Sequence, residues 1–136
     1  MKKMIMCLFL LGIGMILKGQ EFRIPESRTV KIRVNDTLIC FDVSLEMPIV
    51  KQLSDRFYYW HESNRIFFNQ GGWSGKLLHG KFCLFISGKL IEVGYYRYGL
   101  KNGEWKKWRT NGSLYRIEEW KEGVLHGNRF VFQEIP

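Results

Sequence analysis

A repeat of about 23 residues, running from Phe57 almost to the C-terminus, limits what this chain can fold into more than any other feature. Three series keep the same step. The pairs His79-Gly80, Asn102-Gly103 and His126-Gly127 place glycines 23 and then 24 residues apart, and Trp73, Tyr96 and Trp120 repeat those steps. Each unit opens on two aromatic residues: Phe57 with Trp60, Phe82 with Phe85, and Trp105 with Trp108. A unit this short cannot close a core by itself, so neighbours must pair edge to edge and stack their rings along one growing sheet. The units fall at about residues 57–79, 80–102 and 103–126, with a partial fourth over 127–136 that supplies a terminal edge strand.

Within a unit the pattern is strand, turn, strand, glycine turn. Asn111-Gly112 is a strong hairpin signal between Trp108 and Leu114, and Ser63-Asn64 takes the same place in the first unit, since asparagine tolerates the left-handed conformation. The 14 glycines against 3 prolines, and an aromatic content of 15%, suit many short strands and tight turns rather than a disordered tail. The first unit departs from the pattern, with Asn64 in place of glycine and one extra residue near Lys76, and the second is shortened around Ser87-Gly88.

The stretch before the repeats divides in two. Residues 1–19 form a dibasic start followed by an uncharged run from Met4 to Leu17, the pattern of a signal peptide; fourteen residues are fewer than the roughly 20 that a membrane-spanning helix needs. Cys7 follows too few apolar residues to make a lipoprotein signal. Export to the periplasm, the outer membrane or the medium is expected, with cleavage near Gly19. Residues 20–50 hold a β-hairpin, in which Val30, Ile32 and Val34 alternate with basic residues and Asn35-Asp36 makes the turn. Ile49, Leu53 and Phe57 fall at helical spacing and allow one helical turn before the repeats, which occupy 51–136.

Loss of Lys2, Lys3 and Lys18 with the signal lowers the formal charge from +8 to +5, a surplus suited to a solvated face or to acidic surfaces. Two cysteines remain, Cys40 and Cys83. Export permits a disulfide between them, while the apolar runs around both equally suit small buried side chains.

At glycine, aromatic, two residues, aromatic, Asn-Gly and leucine, as in Gly103-Glu104-Trp105-Lys106-Lys107-Trp108 and Asn111-Gly112-Ser113-Leu114, the chain resembles the MORN repeat (membrane occupation and recognition nexus) in its bacterial variant. The phrase Gln70-Gly71-Gly72-Trp73-Ser74-Gly75-Lys76-Leu77-Leu78-His79-Gly80 is similar to the most individual part of such proteins. The resemblance covers 57–132. It implies an all-β fold, an antiparallel meander of stacked hairpins in an elongated sheet behind an N-terminal signal helix, with Trp73, Gly80, Tyr96, Gly103, Asn111, Gly112, Trp120 and Gly127 as structural repeat positions. Members serve as scaffolds, dimerisation surfaces or membrane-associated modules, and some bacterial ones carry an antitoxin label, which a signal peptide opposes.

No catalytic or metal site emerges from the side chains. His79 and His126 hold equivalent repeat positions with Asn102 between them, which suits a turn role and separates them too far to share a metal; His61 stands alone on a strand. Gly72-Trp73-Ser74-Gly75-Lys76 lacks the remaining residues of a phosphate loop, and Ser74 lies one residue short of a nucleophile elbow. Glu118 and Glu119 are adjacent and face opposite sides of a strand. Asn35-Asp36-Thr37 and Asn111-Gly112-Ser113 match glycosylation sequons, but turns explain both. What remains is a surface: Trp105, Lys106, Lys107, Trp108 and Arg109, with Lys101 nearby, are the candidate binding residues, although strand alternation divides them between two faces. The expected function is non-enzymatic and needs no cofactor: an envelope or secreted module that binds a protein partner. Attachment to an anionic membrane surface is the first alternative, an antitoxin role the second, and no nucleic acid is expected.

Overall fold

The computed structural model describes residues 26–134, which form eleven strands and no helix. The signal segment 1–19 lies outside the described residues. So do Gln20–Pro25 of the expected hairpin segment and the last two residues of the chain.

Local turn chemistry fixes most of the pairing. Ser63-Asn64, Ser87-Gly88, Tyr98-Gly99 and Glu122-Gly123 are two-residue turns in which both residues have positive φ, the type whose twist matches that of paired strands. They join β3 (Phe57–Glu62) to β4 (Arg65–Gln70), β5 (Lys76–Ile86) to β6 (Lys89–Arg97), β6 to the short return strand β7 (Leu100–Lys101), and β9 (Leu114–Lys121) to the short return strand β10 (Val124–Leu125). Asn35-Asp36 closes the expected hairpin between β1 (Ser27–Val34) and β2 (Thr37–Ser44), with Asn35 at positive φ.

Asn111-Gly112 behaves differently from the expected two-residue turn. Five residues separate β8 (Gly103–Trp108) from β9, and the register slips between Lys107 and Trp108. The Asn111 side chain accepts hydrogen bonds from the backbone and hydroxyl of Ser113, at 2.9 and 2.7 Å, while Gly112 N–H donates to the Arg109 carbonyl. The asparagine is therefore committed to holding a longer loop.

All strands pair antiparallel in a sheet that does not close, in the order β1-β2-β5-β6-β8-β9-β10, with β11 (Phe130–Val131) on β9. A sequential meander holds from β5 to β9 and is broken before it: β2 pairs with β5, and the first repeat hairpin, β3–β4, leaves the row. β3 touches β5 only through Trp60↔Leu77 and His61↔Lys76, at the start of β5. Further along, Gly80 (φ 125°) packs so close to Asp42 that a Cβ would stand 2.6 Å from its carboxylate. The displaced hairpin comes off a long, strand-free linker, residues 45–56, where the expected helical turn is also absent.

Displacement of β3–β4 builds the core. The main cluster comprises Ile32, Phe41, Val43, Leu78, Phe82, Tyr96 and Trp105, and the hairpin lays Tyr59 and Ile66 against it. Tyr96 meets Trp105 edge on at 4.9 Å, and Tyr59 approaches Tyr96 at 5.1 Å. On the other side of β3, Tyr58, Trp60, Leu77 and Leu100 form a second cluster with Trp73, which stands in a loop rather than on a strand like Tyr96 and Trp120.

The repeat period has a physical purpose at its histidine and asparagine. His79 Nδ1 accepts the backbone N–H of Tyr98 at 3.0 Å, and Asn102 Oδ1 accepts that of Glu122 at 3.4 Å. Tyr98 and Glu122 open equivalent turns, so the residue before each of the first two repeat glycines ties its unit to the next one.

Candidate binding site

The five candidate residues do not form one patch. Trp105 is 4% exposed, a core residue whose indole N–H donates to the Tyr95 carbonyl at 3.2 Å. Lys107 shares its face, opposite Glu92 on β6 and Arg116 on β9. Lys106 points to the other side and pairs with Glu104 at 3.1 Å. Trp108 is half-buried beyond the register slip. The Arg109 guanidinium is occupied within its own end of the sheet: it lies 3.8 Å from Glu134, donates to the Leu114 and Phe132 carbonyls, and sits 4.9 Å over the Tyr115 ring.

The face that carries Lys106 is continuous. Directly opposed residues of paired strands share a face, and the register runs Lys31↔Cys40↔Cys83↔Val93↔Lys106↔Ile117↔Phe130 across seven strands. These residues range from half-buried to exposed. Arg33, Lys81 and Tyr95 share the same side by strand alternation. The main core cluster, with Tyr59 and Ile66 of the β3–β4 hairpin packed on it, lies on the opposite face of this part of the sheet. Cys40 and Cys83 are direct cross-strand neighbours with free thiols, and burial, followed by the neighbouring Cys40, pushes the Cys83 thiol upward.

On the core-bearing face the apolar cluster gives way to charge. Glu118 is 3% exposed, with Arg116 and Arg129 each 2.9 Å from its Oε1 and the Trp120 indole donating to Oε2 at 2.9 Å. Beside it lies a cavity of about 260 Å³, lined by Phe57, Tyr59, Phe68, Lys101, Trp120 and Gly123, where the displaced hairpin meets the second and third repeats. Backbone bonds hold that junction: Tyr59 N–H to the Gly99 carbonyl at 2.8 Å and Gly123 N–H to the Lys101 carbonyl at 2.9 Å. Arg56 adds a bond to the Glu122 carbonyl at 3.0 Å.

The Lys101 ammonium stands 4.5 Å from the centre of the Trp105 ring, 5.1 Å from that of Trp120 and 5.8 Å from that of Tyr59. Burial lowers its pKa, against the opposing pull of Glu92 and Glu118. Sequence reasoning grouped Lys101 with Lys106, Lys107 and Arg109 around Trp105 and Trp108, and not with Tyr59 and Trp120. The missed signal lies in the repeat itself: Leu78-His79-Gly80, Lys101-Asn102-Gly103 and Leu125-His126-Gly127 put leucine, lysine and leucine at one position. Lys101 and Leu125 also pair with equivalent residues, Tyr96 and Trp120.

A second polar cluster surrounds His61, where Arg28, Lys76, Ser63 and Ser74 line a shallow surface cavity. Burial and then the charges of Arg28 and Lys76 lower the His61 pKa, and its ring packs 5.3 Å from that of Phe41. Among the described residues no group of three or more His, Cys, Asp or Glu side chains is placed to hold a metal ion. No family model, curated protein or solved structure matches this chain.

Proposed function

We propose that this protein is an exported, non-enzymatic repeat module that binds a protein partner through the face running from Lys31 to Phe130. The observation that carries this reading is the cross-sheet row itself: Cys40, Cys83 and Val93 form an apolar run with the Tyr95 ring, 44% exposed, beside it, and past Lys106 the row continues through Ile117 to the Phe130 ring, 52% exposed. Apolar and aromatic centres with charged rims are what transient protein interfaces are made of. Lys31, Arg33 and Lys81 supply positive charge at the β1–β5 end of the row, while Glu104, paired with Lys106, and Glu119 lie on the same side farther along, so the complementary partner carries acidic residues beside an apolar patch at the β1–β5 end.

The same lysines support a second reading, attachment to an anionic membrane surface. Retention of binding partners from envelope extract at low and at high salt, with anionic lipid vesicles in parallel, separates the two. Protein binding through an apolar centre persists when salt shortens electrostatic reach to well below ~10 Å, whereas attachment by the basic rim alone is lost. Vesicle binding that disappears with salt, with no protein retained, would replace the protein reading by the membrane one.

A further inference from the structure

We infer that the cavity at Lys101 is a binding site for an apolar carboxylate, a ligand with an aromatic or aliphatic body and one carboxyl group. This inference goes beyond the partner-binding face, which lies on the other side of the sheet, and stands independently of it.

The repeat sets Lys101 apart from its equivalents. The position of Lys101 carries Leu78, fully buried, in the preceding unit and Leu125, 37% exposed, in the following one. Both equivalents are uncharged, whereas a lysine there introduces a partly buried cation. Desolvating an ammonium is costly unless an opposite charge or a set of oriented dipoles compensates.

Among the described residues no carboxylate lies within ion-pairing distance of Lys101. Of the nearby acids, Glu118 is engaged by Arg116, Arg129 and Trp120, while Glu92, opposite Lys107 in register, acts on Lys101 from beyond ion-pairing distance. Three ring faces at 4.5–5.8 Å offset part of the cost and fix the ammonium in place, so its charge is preorganised toward the cavity it lines.

The walls of the cavity are aromatic. Phe57 occupies the unit position at which Phe82 and Trp105 are core residues, yet it is 49% exposed, and Phe68 across the hairpin is 61% exposed. The two rings meet at 6.2 Å and stand at the cavity. An aromatic slot around a cation already present disfavours a cationic ligand and favours an anion with an apolar body. One lysine, with no arginine fork lining the cavity, suits a singly charged carboxylate better than a phosphate dianion. A volume of about 260 Å³ admits one ring with a short acid arm. A free metabolite-sized acid and the hydrophobic C-terminal residue of another chain present the same chemistry.

The test is titration of the purified chain with 3-phenylpropionate, its neutral amide and phenethylammonium, read by indole fluorescence and by chemical shifts of the lining residues. A short peptide ending in phenylalanine, as free acid and as amide, forms a further arm. Saturable binding of the acids, weaker by about tenfold or more for the amides, supports the site, and the tighter of small acid and peptide acid identifies the source. Lys101→Met should abolish the preference for acid over amide, and Phe68→Ala, at an exposed position, should weaken binding with the circular dichroism spectrum unchanged. Equal affinity for acid and amide, tighter binding of the ammonium compound, or no saturable binding would overturn the inference. The acid-to-amide comparison on the unaltered chain decides even if Lys101→Met does not fold.

Discussion

The imidazole of His79 accepts the backbone N–H of Tyr98 at 3.0 Å and stacks on the Tyr98 ring at 4.2 Å, joining a residue at the end of one repeat to the turn of the next. Asn102 does the same for Glu122 with an amide oxygen. One geometric task, accepting a turn N–H, thus accounts for histidine and asparagine at the same position of the first two units.

That bond makes stability depend on pH. Burial first, then Arg97, lowers the His79 pKa below its ordinary 6.5, with Asp42 opposing. A base with a depressed folded pKa takes up protons in the unfolded chain first, so its contribution is fully present above about pH 6.5 and is lost as pH falls through the lower, folded value. His61 shifts in the same direction and adds to the effect. Denaturant midpoints measured between pH 7.5 and 5 should fall with pH. His79→Asn should keep most of the stability at pH 7.5 and flatten part of the slope, whereas His79→Ala should cost about 1 kcal/mol.

Gly94 lies against Trp105 so closely that a Cβ would sit 2.1 Å from its ring. Trp105 in turn packs on Phe82 and Tyr96. Gly94→Ala must therefore displace a core ring, and equilibrium unfolding should record a loss of about 1–3 kcal/mol. Gly112→Ala provides the contrast, since nothing lies within 4 Å of its Cβ position and only its φ of 89° is strained.

The Cys40–Cys83 pair is opposed in register, and antiparallel partners have Cα separations of about 4.5–5.5 Å, inside the range a disulfide spans. Chain recovered from an oxidising compartment should resist thiol labelling at both cysteines until reduced. Closing a loop of this length should add about 4 kcal/mol against unfolding in the chain-entropy account. Full labelling without reductant would place both cysteines as free thiols.

Glu118 links the third repeat to the C-terminal strand, because Arg129 adjoins Phe130 in β11. Glu118→Gln should weaken that tether, and hydrogen exchange should accelerate at Phe130 and Val131 more than in β5. Protection unchanged in β11 would show that its two backbone-paired residues suffice.

Much of this architecture is legible in the sequence because it is local. Val30 and Ile32 alternate with basic residues and place one face of β1 inward; Ser63-Asn64 makes its tight turn because serine and asparagine there both adopt positive φ. Glu118 and Glu119 separate to opposite faces as strand parity requires: Trp105 opposes the first and Glu104 the second. The partner of β2 is not local. Nothing in Thr37–Ser44 states that it will pair with β5 rather than β3, since the choice depends on a long linker and on core volume that only the displaced hairpin fills. For the same reason the cavity was hidden: Phe57 and Phe68 reach Lys101 and Trp120 only after the first unit leaves the row. The Asn111 loop escaped because a side-chain bond to Ser113 competes with the tighter turn.

If a protein partner sits on the row from Lys31 to Phe130, site-specific photocrosslinking will capture it, with Val93 replaced by a photoreactive amino acid in the cell and Phe68, on the hairpin across the sheet, replaced in parallel. Position 93 should yield a discrete protein adduct that persists at high salt, and position 68 none of the same mass. An adduct from position 68 alone, or none from position 93, would rule this face out as the partner site.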